Sequence, residues 1–61
     1  MPEIVVHLAA GRSVGQKQAL MKDITDAVVK NLGVPPDRVV VQILESAKTD
    51  KARGGVPFSE L

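Results

Sequence analysis

The sequence predicts an α/β fold built from a single β-α-β unit, with two parallel strands and a short C-terminal arm. Three segments support this prediction: a loosely alternating apolar segment at 2–9, a segment with helical periodicity at 14–32, and a segment rich in β-branched residues at 38–45. Because a long helix connects the two strands, we expect them to lie parallel through a right-handed crossover. With 61 residues and no cysteine, the chain is expected to form one domain, residues 1–61, without disulfides.

The first strand is predicted from Pro2 to Ala9. Its side chains alternate between an apolar face and a mixed face: Ile4, Val6 and Leu8 on the first, and Glu3, Val5 and His7 on the second. Proline has no N–H to donate to a sheet, but it is tolerated at the first position of a strand.

The helix is predicted from Val14 to Leu32. Ser13 and Gln16 have the capping-box spacing that marks a helix start, and Gly33 stands where a left-handed residue commonly ends one. Apolar residues recur at spacings of three and four, and charged residues lie on the opposite side: Leu20, Ile24, Ala27, Val28 and Leu32 against Lys22, Asp23, Asp26 and Lys30. One side of the helix is therefore expected to pack on the sheet while the other side, including both aspartates, is solvated.

The second strand is predicted from Arg38 to Glu45, after a Val-Pro-Pro-Asp turn that cannot continue a helix. Apolar residues occupy both of its faces: Val39, Val41 and Ile43 on one, and Val40 and Leu44 on the other. Since one helix covers only one sheet face, another subunit is expected to cover the second. The remaining segment, 46–61, contains a Gly-Gly break and predicts a loop with a small edge strand or hairpin arm.

Size and charge restrict the class of protein. A compact monomer of this length buries only about 60% of its unfolded surface, which favours association into an oligomer. The net charge is +1 and the basic residues are scattered, so no nucleic acid and no anionic membrane is predicted as a partner. The sequence has no apolar run of spanning length and no signal-peptide pattern, so a cytoplasmic location is expected.

Pro2 is the candidate catalytic residue. The chain has no cysteine nucleophile, a single histidine, His7, that is expected to be a packing or interface residue, and no cluster with metal-ligand spacing. Removal of Met1 would leave Pro2 with a free secondary amine. An α-amino group titrates near about 7.7 to 8.0, and desolvation or a neighbouring cation lowers its pKa, which suits it to proton transfer at neutral pH. The alternative is that Pro2 does no more than begin the strand.

Arg12 is the candidate substrate-binding residue. It precedes the helix N-cap, where a guanidinium and the first-turn amides can together hold a carboxylate. The alternative is an ordinary solvated loop arginine. Pro2 and Arg12 stand at opposite ends of the first strand, roughly 25 Å apart at about 3.3 Å per residue. A site that uses both residues therefore requires two chains whose first strands lie antiparallel.

The order of these motifs resembles the 4-oxalocrotonate tautomerase family over nearly the whole chain. The resemblance rests on Met1-Pro2, Gly11-Arg12-Ser13, Gln16-Lys17, Val34-Pro35-Pro36, Glu45 and Gly54-Gly55. It implies β-α-β protomers that form dimers and assemble into a homohexamer. It also implies an enzyme without cofactor or metal, in which the amino-terminal proline is the general base and acid in enol–keto conversion of small unsaturated oxo acids. Arg12 falls on the family's carboxylate-binding arginine.

Two positions depart from the family pattern. Val40 stands where well-known members have a second arginine, and Lys51 stands near the position of an aromatic residue that keeps the proline's surroundings dry. The first change disfavours a dicarboxylate substrate, and the second removes a cause of a lowered amine pKa, which Lys51 or Arg53 could replace by charge. Arg38, two residues before Val40, is a further candidate substrate-binding residue, because side chains two apart in a strand share a face. The alternative is that Arg38 pairs with Asp37 or with solvent.

Three functions remain open from the sequence. The first is a cofactor-free tautomerase acting on a small-molecule carboxylate. The second is a hydratase or dehalogenase-like enzyme of the same fold, in which the proline activates water or protonates the substrate. The third is a non-catalytic oligomeric binding protein that has lost two site positions.

Overall fold

The computed structural model describes all 61 residues, and its fold is the predicted β-α-β unit followed by a short arm. Three short 3-10 turns are formed by Pro36–Arg38, Lys48–Asp50 and Phe58–Glu60. The strands and helix are β1 (Glu3–Ala9), α1 (Val14–Leu32), β2 (Val40–Ser46), β3 (Ala52–Arg53) and β4 (Val56–Pro57). No helix in the structure combines the length and the apolar character that crossing a bilayer would require.

Strands β1 and β2 pair in parallel, as predicted, in a register that runs from Glu3 opposite Val40 to Ala9 opposite Ser46. One further hydrogen bond extends the pairing at each end. The Val40 N–H donates to the Pro2 carbonyl at 3.0 Å, and the Ala10 N–H donates to the Ser46 carbonyl at 2.8 Å. The two strands are therefore level at both ends, and the segments that precede or follow them are neighbours.

The bounds and both caps of α1 are as predicted. The Ser13 hydroxyl accepts from the Gln16 N–H at 3.1 Å, and the Gln16 side-chain oxygen accepts from the Ser13 N–H at 3.0 Å. These two bonds satisfy amides that would otherwise have no intrahelical partner. At the other end Gly33 has φ 68°, a left-handed conformation, and its N–H donates to the Val29 carbonyl.

The predicted start of the second strand at Arg38 is wrong, because residues Pro36–Arg38 form a 3-10 turn and β2 begins at Val40. The Arg38 N–H donates to the Pro35 carbonyl at 3.0 Å, and the Val39 N–H donates to the Pro36 carbonyl at 3.1 Å. Both amides are used within the turn, and the ring of Pro36 fixes the backbone angle that the turn needs. At its other end β2 continues one residue past Glu45.

The helix covers one face of the sheet and leaves the other open. Half-buried side chains largely alternate with exposed ones along both strands, and the half-buried apolar residues are Ile4, Val6, Leu8, Ala9, Val41 and Ile43. The open face carries Val5, Val40 and Leu44, which are 45%, 37% and 42% exposed. No residue of the protomer is fully buried, and its accessible surface is 4558 Å², against about 3,800 Å² for a compact monomer of this mass. The protomer by itself therefore has an incomplete core.

The predicted C-terminal arm is present as a small antiparallel hairpin of β3 and β4. The Phe58 N–H donates to the Lys51 carbonyl at 2.7 Å, which places the aromatic ring beside the hairpin. The Lys51 Nζ and the Arg53 Cζ lie 5.8 Å and 5.7 Å from the ring centroid, within cation–π range. The Cα radius of gyration is 14.5 Å, against about 10.5 Å for a compact chain of this length, so the protomer is elongated.

Candidate active site

Pro2 lies at the amino end of the sheet, immediately before β1. Pro2 is half-buried, and its carbonyl accepts a hydrogen bond from the Val40 N–H. The backbone at this position is therefore held against β2. Met1 in front of it is 82% exposed. The Pro2 nitrogen is an amide while Met1 is attached and becomes a secondary amine when Met1 is removed. Only the secondary amine can accept a proton near neutral pH.

Arg38 lies at the same end of the sheet as Pro2, because the turn that contains it leads directly into Val40. The interpretation that Arg38 shares a face with Val40 through strand alternation is wrong, since Arg38 is outside the strand. The residue is exposed and forms no ion pair with Asp37 or any other carboxylate. Its role as a substrate-binding residue stays a prediction.

Arg12 lies at the opposite, carboxyl end of the sheet, between β1 and the start of α1. Gly11 before it has φ 124°, a conformation that favours glycine, and this turns the chain from the strand toward the helix. Arg12 lines an open pocket of about 200 Å³ together with Leu8, Gln16, Lys17 and Leu20. Its guanidinium forms no salt bridge within the protomer. It is therefore free to bind an anion.

Lys17, which lines this pocket, forms an ion pair that the sequence did not predict. The Lys17 Nζ lies 2.6 Å from the Glu45 Oε1, and the two side chains are 23% and 31% exposed. The pair joins the first turns of α1 to the end of β2, and a second open pocket of about 300 Å³ lies beyond it. The Glu45 carboxylate is therefore neutralised by Lys17.

The structure therefore separates the two principal site residues that the sequence predicted. Pro2 is at the amino end of β1 and Arg12 is beyond its carboxyl end, and the strand between them is continuous. A seven-residue strand spans roughly 23 Å, which is more than any arginine side chain can cross. Within one chain Pro2 and Arg12 cannot contact the same small molecule.

Comparisons with known proteins match the whole of this β-α-β unit. The family model described as "Tautomerase enzyme" matches residues 2–61. A probable tautomerase of Bradyrhizobium diazoefficiens is 53% identical over 60 residues, covering 98% of this chain and 90% of that protein. The 2-hydroxymuconate tautomerase of Pseudomonas putida is 36% identical over 61 residues, covering 100% of this chain and 97% of that protein.

Solved structures agree with this match. A heterohexamer 4-oxalocrotonate tautomerase from Chloroflexus aurantiacus superposes with a TM-score of 0.91 at 30% identity, covering 100% of this chain and 98% of that one. The family model and the names of these relatives identify an isomerase of the tautomerase class. The chain belongs to the tautomerase family, in the group of the 4-oxalocrotonate tautomerases.

Proposed function

We propose that this tautomerase converts small unsaturated 2-hydroxy acids into their 2-oxo isomers, with Pro2 as the proton carrier after removal of Met1. The observation that carries the proposal is the position of Pro2, directly behind an exposed Met1 and fixed by β2 at the start of β1. A rigidly placed amine whose pKa lies near the working pH is suited to accepting and returning a proton.

The reaction redistributes one proton and adds no atom. The Pro2 nitrogen accepts the proton of the enol hydroxyl, the C–O bond becomes a carbonyl, and the double bonds shift along the carbon chain. The same amine then delivers the proton to a carbon of the substrate. Arg12 holds the carboxylate by charge-assisted hydrogen bonds, which fixes the reacting atoms in front of the amine.

The site is completed by a second chain. In this proposal the open sheet face packs against another subunit with antiparallel first strands, which brings Pro2 of one chain to Arg12 of the next. The exposed apolar residues of that face and the absence of any fully buried residue support association. Dimers assembled into a homohexamer are the proposed state, and the similar Chloroflexus protein is described as a heterohexamer.

The proposed substrate is a monocarboxylate, or a dicarboxylate bound differently from the usual mode of the family. Val40, on the open face, supplies no charge at the position of the family's second arginine. The name of the Pseudomonas relative makes 2-hydroxymuconate the natural dicarboxylate to test. A monocarboxylate such as 2-hydroxy-2,4-pentadienoate is the matched comparison.

The test of the proton carrier is Pro2→Ala, assayed with both compounds after intact-mass measurement shows that Met1 has been removed. Loss of a positioned acid–base group lowers kcat by about 10²- to 10⁴-fold with a smaller change in KM. A variant in which retained Met1 blocks Pro2 as an amide should lose activity as well. Unchanged turnover by Pro2→Ala would exclude proline catalysis, whereas no turnover of either compound by the wild type would favour the hydratase-like or non-catalytic alternatives.

Mixing subunits tests whether the site is shared. Pro2→Ala and Arg12→Ala chains, each poorly active alone, are unfolded together in equal amounts and refolded. Random assembly gives about one site in four with an intact proline and an intact arginine from different chains, so about a quarter of wild-type activity should return. Recovery no greater than the sum of the separate variants would contradict a site shared by Pro2 of one chain and Arg12 of another.

A further inference from the structure

A second cation, Lys48, lies at the carboxyl end of the sheet, next to the loop that carries Arg12. The 2.8 Å hydrogen bond from the Ala10 N–H to the Ser46 carbonyl brings the turn after β2, Lys48–Asp50, next to the loop before α1. The Lys48 side chain reaches that loop, because its Cε lies 4.0 Å from the point where a Cβ on Gly11 would stand. Gly11 is the immediate neighbour of Arg12.

Neither cation has an anionic partner in the protomer. Asp50 lies in the same turn as Lys48 but forms no ion pair with it, and its carboxylate accepts instead from the Thr49 hydroxyl at 3.5 Å. The nearby Lys17 differs, because it is neutralised by Glu45 at 2.6 Å. Two cations without anionic partners stand on adjoining loops, so this end of the sheet carries positive charge that favours an acid.

We infer that Lys48 is a specificity-determining residue that, together with Arg12, binds the head of a 2-oxo or 2-hydroxy acid. The inference rests on the proposed function and deepens it. Arg12 presents a planar fork that suits a carboxylate, whereas Lys48 presents a compact charge on a flexible stem that suits the single oxygen on the neighbouring carbon. That oxygen becomes more negative when the enol proton leaves, so the ammonium stabilises the transition state more than the ground state.

With this assignment, Lys48 supplies the second cation of the site in place of the arginine that the family pattern has at the position of Val40. The open-face position in β2 holds Val40, at the amino end of the strand, whereas Lys48 follows the carboxyl end of the same strand. The charge would then lie next to Arg12 instead of across the substrate from it. Two cations at one end of the ligand favour the binding of a 2-oxo monocarboxylate over the binding of a dicarboxylate.

The experiment compares Lys48→Met, which keeps the stem and removes the charge, with Lys48→Arg, which keeps the charge. Calorimetry measures binding of 2-oxopentanoate and of pentanoate, which differ only in the 2-oxygen. Lys48→Met should weaken the binding of 2-oxopentanoate by about tenfold and the binding of pentanoate by less than about threefold. Lys48→Arg should bind both with affinities close to those of the wild type. Lys30→Met, at the far end of α1, is the matched control and should change neither.

Kinetics supply the second readout. With 2-hydroxy-2,4-pentadienoate, Lys48→Met should lower kcat/KM by about tenfold, with part of the loss in kcat. Equal weakening of both pentanoates, no weakening of either, or no binding of 2-oxopentanoate by the wild type would overturn the inference. A wild type that binds 2-oxopentanoate through Lys48 but turns over no enol would overturn the proposed function alone. Active wild type with unchanged Lys48→Met would overturn the Lys48 assignment alone.

Discussion

The two ends of the β1–β2 sheet are built from the same pair of strands but carry different chemistry. The amino end holds Pro2, fixed by the Val40 N–H, with Arg38 in the adjoining turn. The carboxyl end holds the capped start of α1, with Arg12 and Lys48 on adjoining loops. One end can supply a proton carrier and the other can supply cations for an acid.

In the proposed function, therefore, the protomer contains the parts of a site without bringing them together. The strand that links the ends also holds them apart, so folding of one chain cannot bring the amine to the anion-binding end. The open face of the same strands carries the apolar residues that a second subunit would cover. Assembly and catalysis are therefore predicted to depend on one surface.

A charge on the open face should have the largest effect, because it prevents the two ends from meeting. Val5→Asp places a carboxylate at a position that is 45% exposed in the protomer and buried in the proposed dimer. An unpaired charge buried at an interface costs about 3 to 5 kcal/mol, so sedimentation should show dissociation and activity should fall to background. Leu61→Asp is the matched control, at an apolar residue that is 69% exposed and lies outside β1 and β2. A stable, active oligomer of Val5→Asp would contradict the shared site.

The fold was predictable because its signals are local. The capping box, the glycine stop and the alternation of β1 each involve residues only a few positions apart, and all three are confirmed. The start of β2 was not predictable from β-propensity, since the valines after Arg38 favour a strand while the two prolines before it commit its amide to a turn. The hydrogen bond from the Arg38 N–H to the Pro35 carbonyl keeps Arg38 in the turn, so the strand begins later than β-propensity predicts.

The site was less predictable because its contacts are not local. The ion pair between Lys17 and Glu45 joins residues 28 positions apart, and the approach of Lys48 to Gly11 depends on the register of two strands. No spacing rule links such residues before the sheet is known. Pro2 and Arg12 could be named from the sequence, whereas the grouping of Arg12 with Lys48 needed the structure.

Arg38 allows the two ends of the sheet to be compared directly as anion-binding sites. It lies in the turn before β2, at the amino end, and its guanidinium forms no salt bridge. If Arg38 contacts the distal carboxylate of a dicarboxylate, Arg38→Ala should raise KM for 2-hydroxymuconate by an amount equivalent to about 1.5 to 3 kcal/mol. The monocarboxylate 2-hydroxy-2,4-pentadienoate should be nearly unaffected, and Lys30→Ala should affect neither. Equal effects on both substrates, or none, would leave the anion contacts entirely at the carboxyl end.

The smallest effect is expected at the helix start, which sets the position of Arg12 without contacting a ligand. Ser13→Ala removes the hydroxyl that accepts from the Gln16 N–H, while the bond from the Ser13 N–H to the Gln16 side chain can remain. Loss of an N-cap side chain costs about 0.5 to 2 kcal/mol, so urea unfolding at fixed protomer concentration should show that decrease. Ser59→Ala is the control, because the Ser59 hydroxyl forms no hydrogen bond.

KM should rise only slightly in Ser13→Ala, since α1 continues to pack on the sheet and the Lys17–Glu45 pair still holds its first turns. A large rise in KM without loss of stability would instead mean that the Ser13 hydroxyl itself contacts the substrate.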